Sequence, residues 1–259
     1  GAATGIWTYT LDNTLSATQA LKEGESVTQA YTARVTDDFG AYVDQTITVT
    51  INGTNDVPVI TNAATALAGS VTEAGSLDNG TAVPGTSSVS GTLSATDVDS
   101  GATQTWSIQG TPSTTYGSIA INASTGVWTY TLDNTLSATQ ALKEGESVTQ
   151  AYTARVTDDF GAYVDQTITV TINGTNDVPV ITNAATALAG SVTEAGSLDN
   201  GTAVPGTSSV SGTLSATDVD SGATQTWSIQ GTPSTTYGSI AINASTGVWT
   251  YTLDNTLSA

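Results

Sequence analysis

Apolar and polar residues alternate along most of this chain. Across 164–172 the even positions carry Val, Gln, Ile, Val and Ile, and the odd positions carry Asp and then Thr. Trp128, Tyr130 and Leu132 alternate with Thr129 and Thr131, and Tyr152, Ala154 and Val156 alternate with Thr153, Arg155 and Thr157. Val89, Leu93 and Ala95 are set among Ser90, Thr92, Ser94 and Thr96. A period of two predicts strands with one buried and one solvated face, the habit of antiparallel sheets. Threonine suits the wet face because its β-branched side chain favours extended backbone.

Turn residues punctuate these runs at Asp78-Asn79-Gly80, Pro84-Gly85, Asp99-Ser100-Gly101, Thr125-Gly126 and Asp159-Phe160-Gly161. About seven strands at this spacing predict an all-β, antiparallel two-sheet sandwich. Trp106, Trp128, Tyr116, Tyr130 and Tyr152 are expected to fill its core. The best helical stretch, 137–145, is short and reads as a turn within a loop.

The pattern recurs. LDNTLSATQALKEGESV starts at Leu11 and again at Leu132, and Leu253 opens a third copy; 132 − 11 = 121 and 253 − 132 = 121. The copies differ only at their starts, where Gly1, Ala3 and Ile6 stand for Asn122, Ser124 and Val127. A period of 121 residues is the size of a small domain, so the chain is a tandem array. The phrase GTNDVPVIT, at Gly53 and Gly174, reads as a linker. It divides the chain into the C-terminal portion of one repeat (1–56), a complete repeat (57–177) and the N-terminal portion of the next (178–259).

Composition narrows the chemistry. Cys, Met and His are absent, which excludes a disulfide framework, a thiolate zinc site and the usual nucleophilic triads. Four basic residues face 23 acidic ones, a net charge of −19. Within 57–177 eleven carboxylates meet only Lys143 and Arg155, so one repeat carries 2 − 11 = −9. Phosphate backbones are bound through Lys and Arg, so nucleic acid is a poor partner. No apolar run is long enough for a membrane helix. The Asn-x-Ser/Thr triplets at Asn52, Asn79 and Asn122 are what chance gives in so polar a chain.

The acids gather at strand ends: Asp97 with Asp99, Asp158 with Asp159, Glu144 with Glu146, and Asp177 at the end of the repeat. Clustered carboxylates raise one another's pKa unless a cation intervenes, and Ca²⁺ takes six to eight oxygens from carboxylates, Asn and backbone carbonyls. The alternative is a solubilising acidic surface. Paired carboxylates also serve glycosidases, but their repetition at the poles of a sandwich suits metal binding better, and no enzyme is expected.

SATDVDSGATQTWSIQG and GSIAINASTGVWTYTL resemble a cadherin segment with its Asp-x-Asp-x-Gly turn, and YTARVTDDFGAYVDQTITVTINGTNDVPVI resembles the cadherin ending and its Asn-Asp-x-Pro linker. Leu142-Lys143-Glu144-Gly145-Glu146-Ser147-Val148 is similar to bacterial VCBS repeats, cadherin- and immunoglobulin-like modules of large RTX-type surface adhesins. The resemblance implies calcium between successive domains. At the first junction the ligands would be Glu23 or Glu25, Asn55 and Asp56, then Asp97, Asp99 and Asp158. At the second they would be Glu73, Glu144 or Glu146, Asn176 and Asp177, then Asp218 and Asp220.

Two departures reduce that set. Gly53 and Gly174 replace the first Asp of the cadherin linker, and Val57 and Val178 its last Asn, so fewer ions per junction are implied. A site inside one domain pole, made by Asp97, Asp99 and Asp158, is the other arrangement. The resemblance implies an extracellular extender, a calcium-stiffened rod that carries an adhesive tip for cell attachment and biofilm formation, with identical neighbouring repeats as its partners. Two alternatives stand beside it. One is a filament or surface layer in which residues 1–56 of one chain complete residues 178–259 of another; the other is a lectin-like module using Trp or Tyr platforms.

Overall fold

The computed structural model of the chain describes residues 4–77, 79–184 and 188–256. Asp78 of the first expected turn therefore lies outside the described residues, while Gly80 beside it takes the positive φ of 78° that the turn demands. The N-terminal repeat supplies β1 (Ser26–Thr36) and β2 (Tyr42–Asn52). The central repeat supplies β3 (Val59–Ile60), β4 (Ala68–Thr72), β5 (Gly75–Ser76), β6 (Ala82–Val83), β7 (Ser88–Thr92), β8 (Ala95–Thr96), β9 (Gln104–Ile108), β10 (Gly117–Ile121), β11 (Val127–Leu132), β12 (Ser147–Asp158) and β13 (Tyr163–Asn173). The C-terminal repeat adds β14 (Val180–Ile181), β15 (Gly196–Ser197), β16 (Ala203–Val204), β17 (Ser209–Thr213), β18 (Ala216–Thr217), β19 (Gly238–Ile242) and β20 (Val248–Leu253).

The chain divides into two compact units. The first comprises Gly1–Val71, Thr86–Asp133 and Val148–Ile172, and the second Thr72–Gly85, Asn134–Ser147 and Asn173–Ala259.

The first unit is built on a four-stranded sheet, β4-β13-β12-β9, and a three-stranded sheet, β10-β11-β7. The alternation seen in the sequence is the alternation of burial. Trp128, Tyr130 and Leu132 are buried while Val127, Thr129 and Thr131 are exposed, and Tyr152, Ala154, Val156, Ile168, Val170 and Ile172 are all buried. The two layers meet through aromatic rings: Tyr130 on β11 and Tyr152 on β12 have centroids 6.0 Å apart. The buried Trp128 indole donates to the Ala66 carbonyl at 3.1 Å, which satisfies its one polar atom. A Cβ on Gly91 would lie 2.7 Å from that indole nitrogen, so the strand opposite Trp128 needs glycine there. Trp106 and Tyr152 are core residues as expected, whereas Tyr116 is only half-buried. The β1-β2 hairpin, paired from Ser26↔Asn52 to Thr36↔Tyr42, also belongs to this unit.

The stretch expected to be a loop turn contains one helical turn, Ser137–Gln140. It lacks a side-chain cap and is closed by backbone bonds from Thr139 and Gln140 to the Leu136 carbonyl. Its anchor is burial, of Thr139 within it and Leu142 just beyond it. Packing holds a turn too short to be stable alone.

In the second unit β17-β20-β19 repeats the three-stranded sheet, and β14-β18 and β15-β16 repeat the small pairs β3-β8 and β5-β6. Residues 189–193 repeat the letters of β4, and 225–229 repeat those of β9, yet neither segment is a strand. The sequences are the same; what differs is the neighbour. In the four-stranded sheet β13 flanks β4 and β12 flanks β9, whereas among the described residues no strand flanks 225–229, and 189–193 has only the isolated bridge from Thr193 to Thr207. Strand formation here is decided by pairing and not by local propensity.

Candidate metal centre

Two clusters of acids lie at corresponding places, one within each unit. In the first, the linker after β2 delivers Asn55 and Asp56, and the turn after β8 delivers Asp97 and Asp99. The Asp56 N–H donates to Asp99 Oδ2 at 2.8 Å, and the Asp99 N–H donates to Asp97 Oδ1 at 3.0 Å. Asn55 Nδ2 donates both to the Asp56 carbonyl and to Asp158 Oδ2, each at 2.9 Å. Asp158 ends β12, and its Oδ1 accepts the N–H groups of Phe160 and Ala162 at 2.9 Å. Burial raises the pKa of Asp158, but the hydrogen bonds from Asn55 and the turn backbone outweigh it and hold the carboxyl below its ordinary value. The pole formed by Asp97, Asp99 and Asp158 and the junction formed by Asn55 and Asp56 are thus one place.

The second cluster repeats the first. The Asp177 N–H donates to Asp220 Oδ2 at 2.9 Å, and the Asp220 N–H to Asp218 Oδ1 at 3.0 Å. Glu73, which follows β4, adds a carboxylate with no exposed surface. Gln140 Nε2 donates to Glu73 Oε1 at 2.8 Å. Burial pushes the Glu73 carboxyl up to about 7; a backbone hydrogen bond from Thr175 opposes this, Asp177 and Asp220 add like charge, and Gln140 opposes it again. Asp177 is also raised, by burial first and then by Asp220 and Asp218.

These clusters hold more acceptors than donors. Glu73 Oε2, Asp97 Oδ2, Asp99 Oδ1, Asp177 Oδ2 and Asp220 Oδ1 are buried with no hydrogen-bond partner. Among the described residues no group of three or more acids is arranged so that it could hold a metal ion as it stands. Arg155 is engaged elsewhere, paired with Asp165 at 2.7 Å and stacked 3.5 Å over the Tyr163 ring. Buried anionic oxygens facing one another without a donor are costly unless a cation is shared. Hard oxygen ligands of this kind fit Ca²⁺.

The remaining residues singled out in the sequence lie further from these bonds. Asn176 is half-buried and its carbonyl accepts the Ser76 N–H at 2.6 Å. Glu144 is exposed and lines a cleft with Asn176, Ser76 and Asn79. Glu146 and Glu23 are exposed and Glu25 half-buried; the backbone carbonyls of Glu146 and Glu25 accept the N–H groups of Gly174 and Gly53. Gln140 and Thr175, which hold Glu73, carry no sequence signal that distinguishes them from the many other Gln and Thr residues. The linker glycines have a steric reason. A Cβ on Gly174 would lie 2.1 Å from the Leu142 carbonyl oxygen, and one on Gly53 2.1 Å from that of Leu21. An Asp cannot occupy either position.

Residues 55–174 match the bacterial cadherin-like domain family. That span holds the acids of the first cluster, together with Glu73. Cadherin structures resemble the chain as well. Mouse cadherin-23 EC22-24 is 18% identical over 86% of this chain and 63% of that one, with a TM-score of 0.42. Human CDH23 EC21-23 is 19% identical over 85% and 65%, with a TM-score of 0.42, and Drosophila N-cadherin EC1-4 is 12% identical over 92% and 52%, with a TM-score of 0.37. The chain therefore spans less than two thirds of each of these structures. No curated protein matches it. The all-β sandwich is the fold expected from the alternation, and the cadherin-like family of residues 55–174 is the one the linker and turn motifs resemble. No described helix is long and apolar enough to cross a membrane.

Proposed function

We propose that this chain is an extender segment of a bacterial surface adhesin of the VCBS and RTX type, in which Ca²⁺ joins successive cadherin-like repeats into a stiff extracellular stalk. The supporting observation is the set of five buried carboxylate oxygens without a donor, divided between two equivalent junctions. Asp56, Asp97, Asp99 and Asp158 with Asn55 would hold the cation at the first junction, and Glu73, Asp177, Asp218 and Asp220 at the second. The bound ion supplies positive charge where the chain has none. The chain's own role is to hold the acids in register, by the backbone bonds Asp56 to Asp99 and Asp177 to Asp220, and to keep the linker close through Gly53 and Gly174. With the cation bound, both sides of each linker are tied to one centre and the hinge is fixed; the role is mechanical and not catalytic.

Calcium titration by calorimetry, paired with thermal melting in chelator, tests this. Saturable binding and a raised melting temperature that chelator reverses are expected. No binding heat together with identical melting curves would overturn the calcium centre.

A further inference from the structure

Three consecutive residues at the end of the helical turn Ser137–Gln140 each touch a different part of the junction that follows. Gln140 Nε2 donates to Glu73 Oε1 at 2.8 Å. The Ala141 carbonyl accepts the N–H of Ser221, the residue after Asp220, at 3.1 Å. The Leu142 carbonyl oxygen would lie 2.1 Å from a Cβ on Gly174, so the linker backbone packs directly against it. The first junction repeats two of these contacts. The Ala20 carbonyl accepts the Ser100 N–H at 3.0 Å, and the Leu21 carbonyl oxygen would lie 2.1 Å from a Cβ on Gly53. The compact units follow the same grouping: Asn134–Ser147 falls within the sequence of the central repeat, yet it belongs to the second unit with Asn173–Ala259.

We infer that residues 137–142 are a latch for the following repeat, that the Asp218-Val219-Asp220-Ser221-Gly222 turn of that repeat is its partner, and that the latch closes without any cation. The chemistry of the contact suits two like-charged neighbours. A helix end presents carbonyls that lack an intrahelical partner, and Ala141, which caps this turn, offers one to Ser221. Donor and acceptor are both backbone groups, so the bond adds no charge to a place already crowded with carboxylates. The receiving turn is built to supply that donor. The Ala223 N–H returns to the Asp220 carbonyl at 3.2 Å and Gly222 has a φ of 72°, the marks of a type II turn with Ser221 at its second position. The turn's own hydrogen bond therefore leaves the Ser221 N–H to the latch. Asp99, Ser100, Gly101 and Ala102 repeat the arrangement, with a φ of 71° at Gly101 and the same 3.2 Å bond.

The latch is held from its own side by the buried Thr139 and Leu142 and by Asn134 at the start of the segment. Asn134 Oδ1 accepts the Ala74 N–H at 3.0 Å, and its Nδ2 donates to the Ala74 carbonyl at 3.1 Å. Ala74 follows Glu73, so the segment that reaches the next repeat also fixes the backbone beside this carboxylate. One backbone hydrogen bond biases an open–closed equilibrium by roughly fivefold, enough to keep the two sides in register and too little to make the junction rigid. The latch does not rest on the calcium reading, because none of its contacts needs a metal.

Backbone hydrogen exchange of the 259-residue chain, in chelator and in calcium, tests this. In chelator the amides of Ser221 and Ser100 are expected to be protected roughly fivefold or more, relative to their intrinsic rates, beyond the exposed Gly222 and Gly101. Ser221→Pro removes the donor and still fits the turn, since proline is favoured at the second position of type II. It is expected to speed exchange of the Asp177 amide roughly fivefold in chelator and to leave Ile168 and Val170 unchanged, which also reports that the sheet is folded. Ser221→Ala, which keeps the N–H, is expected to change neither, and Ser100→Pro to act on Asp56 as Ser221→Pro acts on Asp177. Free exchange of Ser221 in chelator, or an Asp177 amide indifferent to Ser221→Pro, overturns the latch. Protection of Ser221 that appears only in calcium overturns it too and leaves the calcium centre standing. Protection in chelator that calcium does not change supports the latch and counts against the calcium centre.

Discussion

The backbone N–H of Asp177 donates to Asp220 Oδ2 at 2.9 Å, and each of these residues keeps a second carboxylate oxygen buried without a partner. Asp56 and Asp99 repeat the bond at 2.8 Å. One N–H thus ties the linker to the next domain, while at the second cluster the carboxylates it brings together repel each other. If calcium is the missing partner, the same contact is expected to be stabilising with the cation present and strained without it, and this opposition of sign is what a test of the calcium proposal reads.

Asp220→Asn is therefore expected to act in opposite directions in two buffers. In chelator it removes a buried like charge beside Glu73 and Asp177, and stability rises by about 1 kcal/mol. In calcium it removes an anionic ligand, and affinity at that junction falls by about tenfold or more. Asp99→Asn is expected to lower calcium affinity in the same way at the other junction. Melting curves and calorimetric titrations of the two variants measure both effects; a loss of stability in chelator would count against the repulsion.

Glu73 makes the metal-free protein sensitive to pH. Its folded-state pKa is raised to about 7 from an ordinary value of 4.5. Between those values the folded state holds a proton that the unfolded state has released, so stability falls as pH rises through this window and is level above it. The raised Asp177 acts in the same direction. Denaturant melts in chelator are expected to show the protein more stable at pH 5.5 than at pH 8, by roughly 1–3 kcal/mol. Glu73→Gln should flatten the slope, and saturating calcium should reverse it by holding the carboxylate ionised. A flat profile for the unaltered chain in chelator would remove Glu73 from the account.

The sequence reveals the strands that repeat a strict period of two, and with them the core: Trp128 and Tyr130 on one sheet, Tyr152, Val156, Ile168 and Val170 on the other. It does not reveal which identical letters become strands, because AGSVT at 68–72 is a strand and AGSVT at 189–193 holds only the isolated bridge from Thr193 to Thr207. Asp97 with Asp99, and Asp158, stand out at strand ends, and the structure places them with Asn55 and Asp56. Glu73 stands alone in its segment, and only the resemblance to cadherins draws attention to it; the groups that hydrogen-bond its carboxyl, Gln140 and Thr175, are distant in the chain. Gly174 shows the opposite difficulty. Set against the cadherin linker it looks like a missing ligand, yet the position is closed to any side chain by the Leu142 carbonyl.

Gly174→Ala gives that steric reading a direct measurement. A Cβ 2.1 Å from a backbone oxygen cannot be relieved by a rotamer change, so the linker must move. A loss of about 2 kcal/mol or more is expected, within the range for overpacked sites. The displaced linker also carries Asp177, so calcium affinity at this junction should fall with it. Gly24→Ala is a suitable control, because nothing lies within 4 Å of its Cβ and only its φ of 82° is penalised. If Gly174→Ala melted like the unaltered chain, the close approach would not be a constraint in solution.

Hydrogen exchange at the linkers offers the most local test. The amides of Asp56 and Asp177 are each hydrogen-bonded to a carboxylate across the junction and belong to no strand ladder. They exchange when the junction opens, without unfolding of either sheet. A ligand that binds only the closed junction lowers the open population by the factor 1 + [L]/Kd, so calcium at about 100 times its Kd is expected to slow both amides by about 100-fold. Amides of Ile168 and Val170, deep in the four-stranded sheet, open only with larger unfolding and provide the reference. Magnesium, which prefers a stricter octahedron and gives up its waters reluctantly, is expected to protect much less at the same concentration. Equal exchange of Asp56 and Asp177 with and without calcium would show that the linker bonds are not coupled to a metal, and would leave the buried oxygens of Asp99 and Asp220 to be explained by another partner.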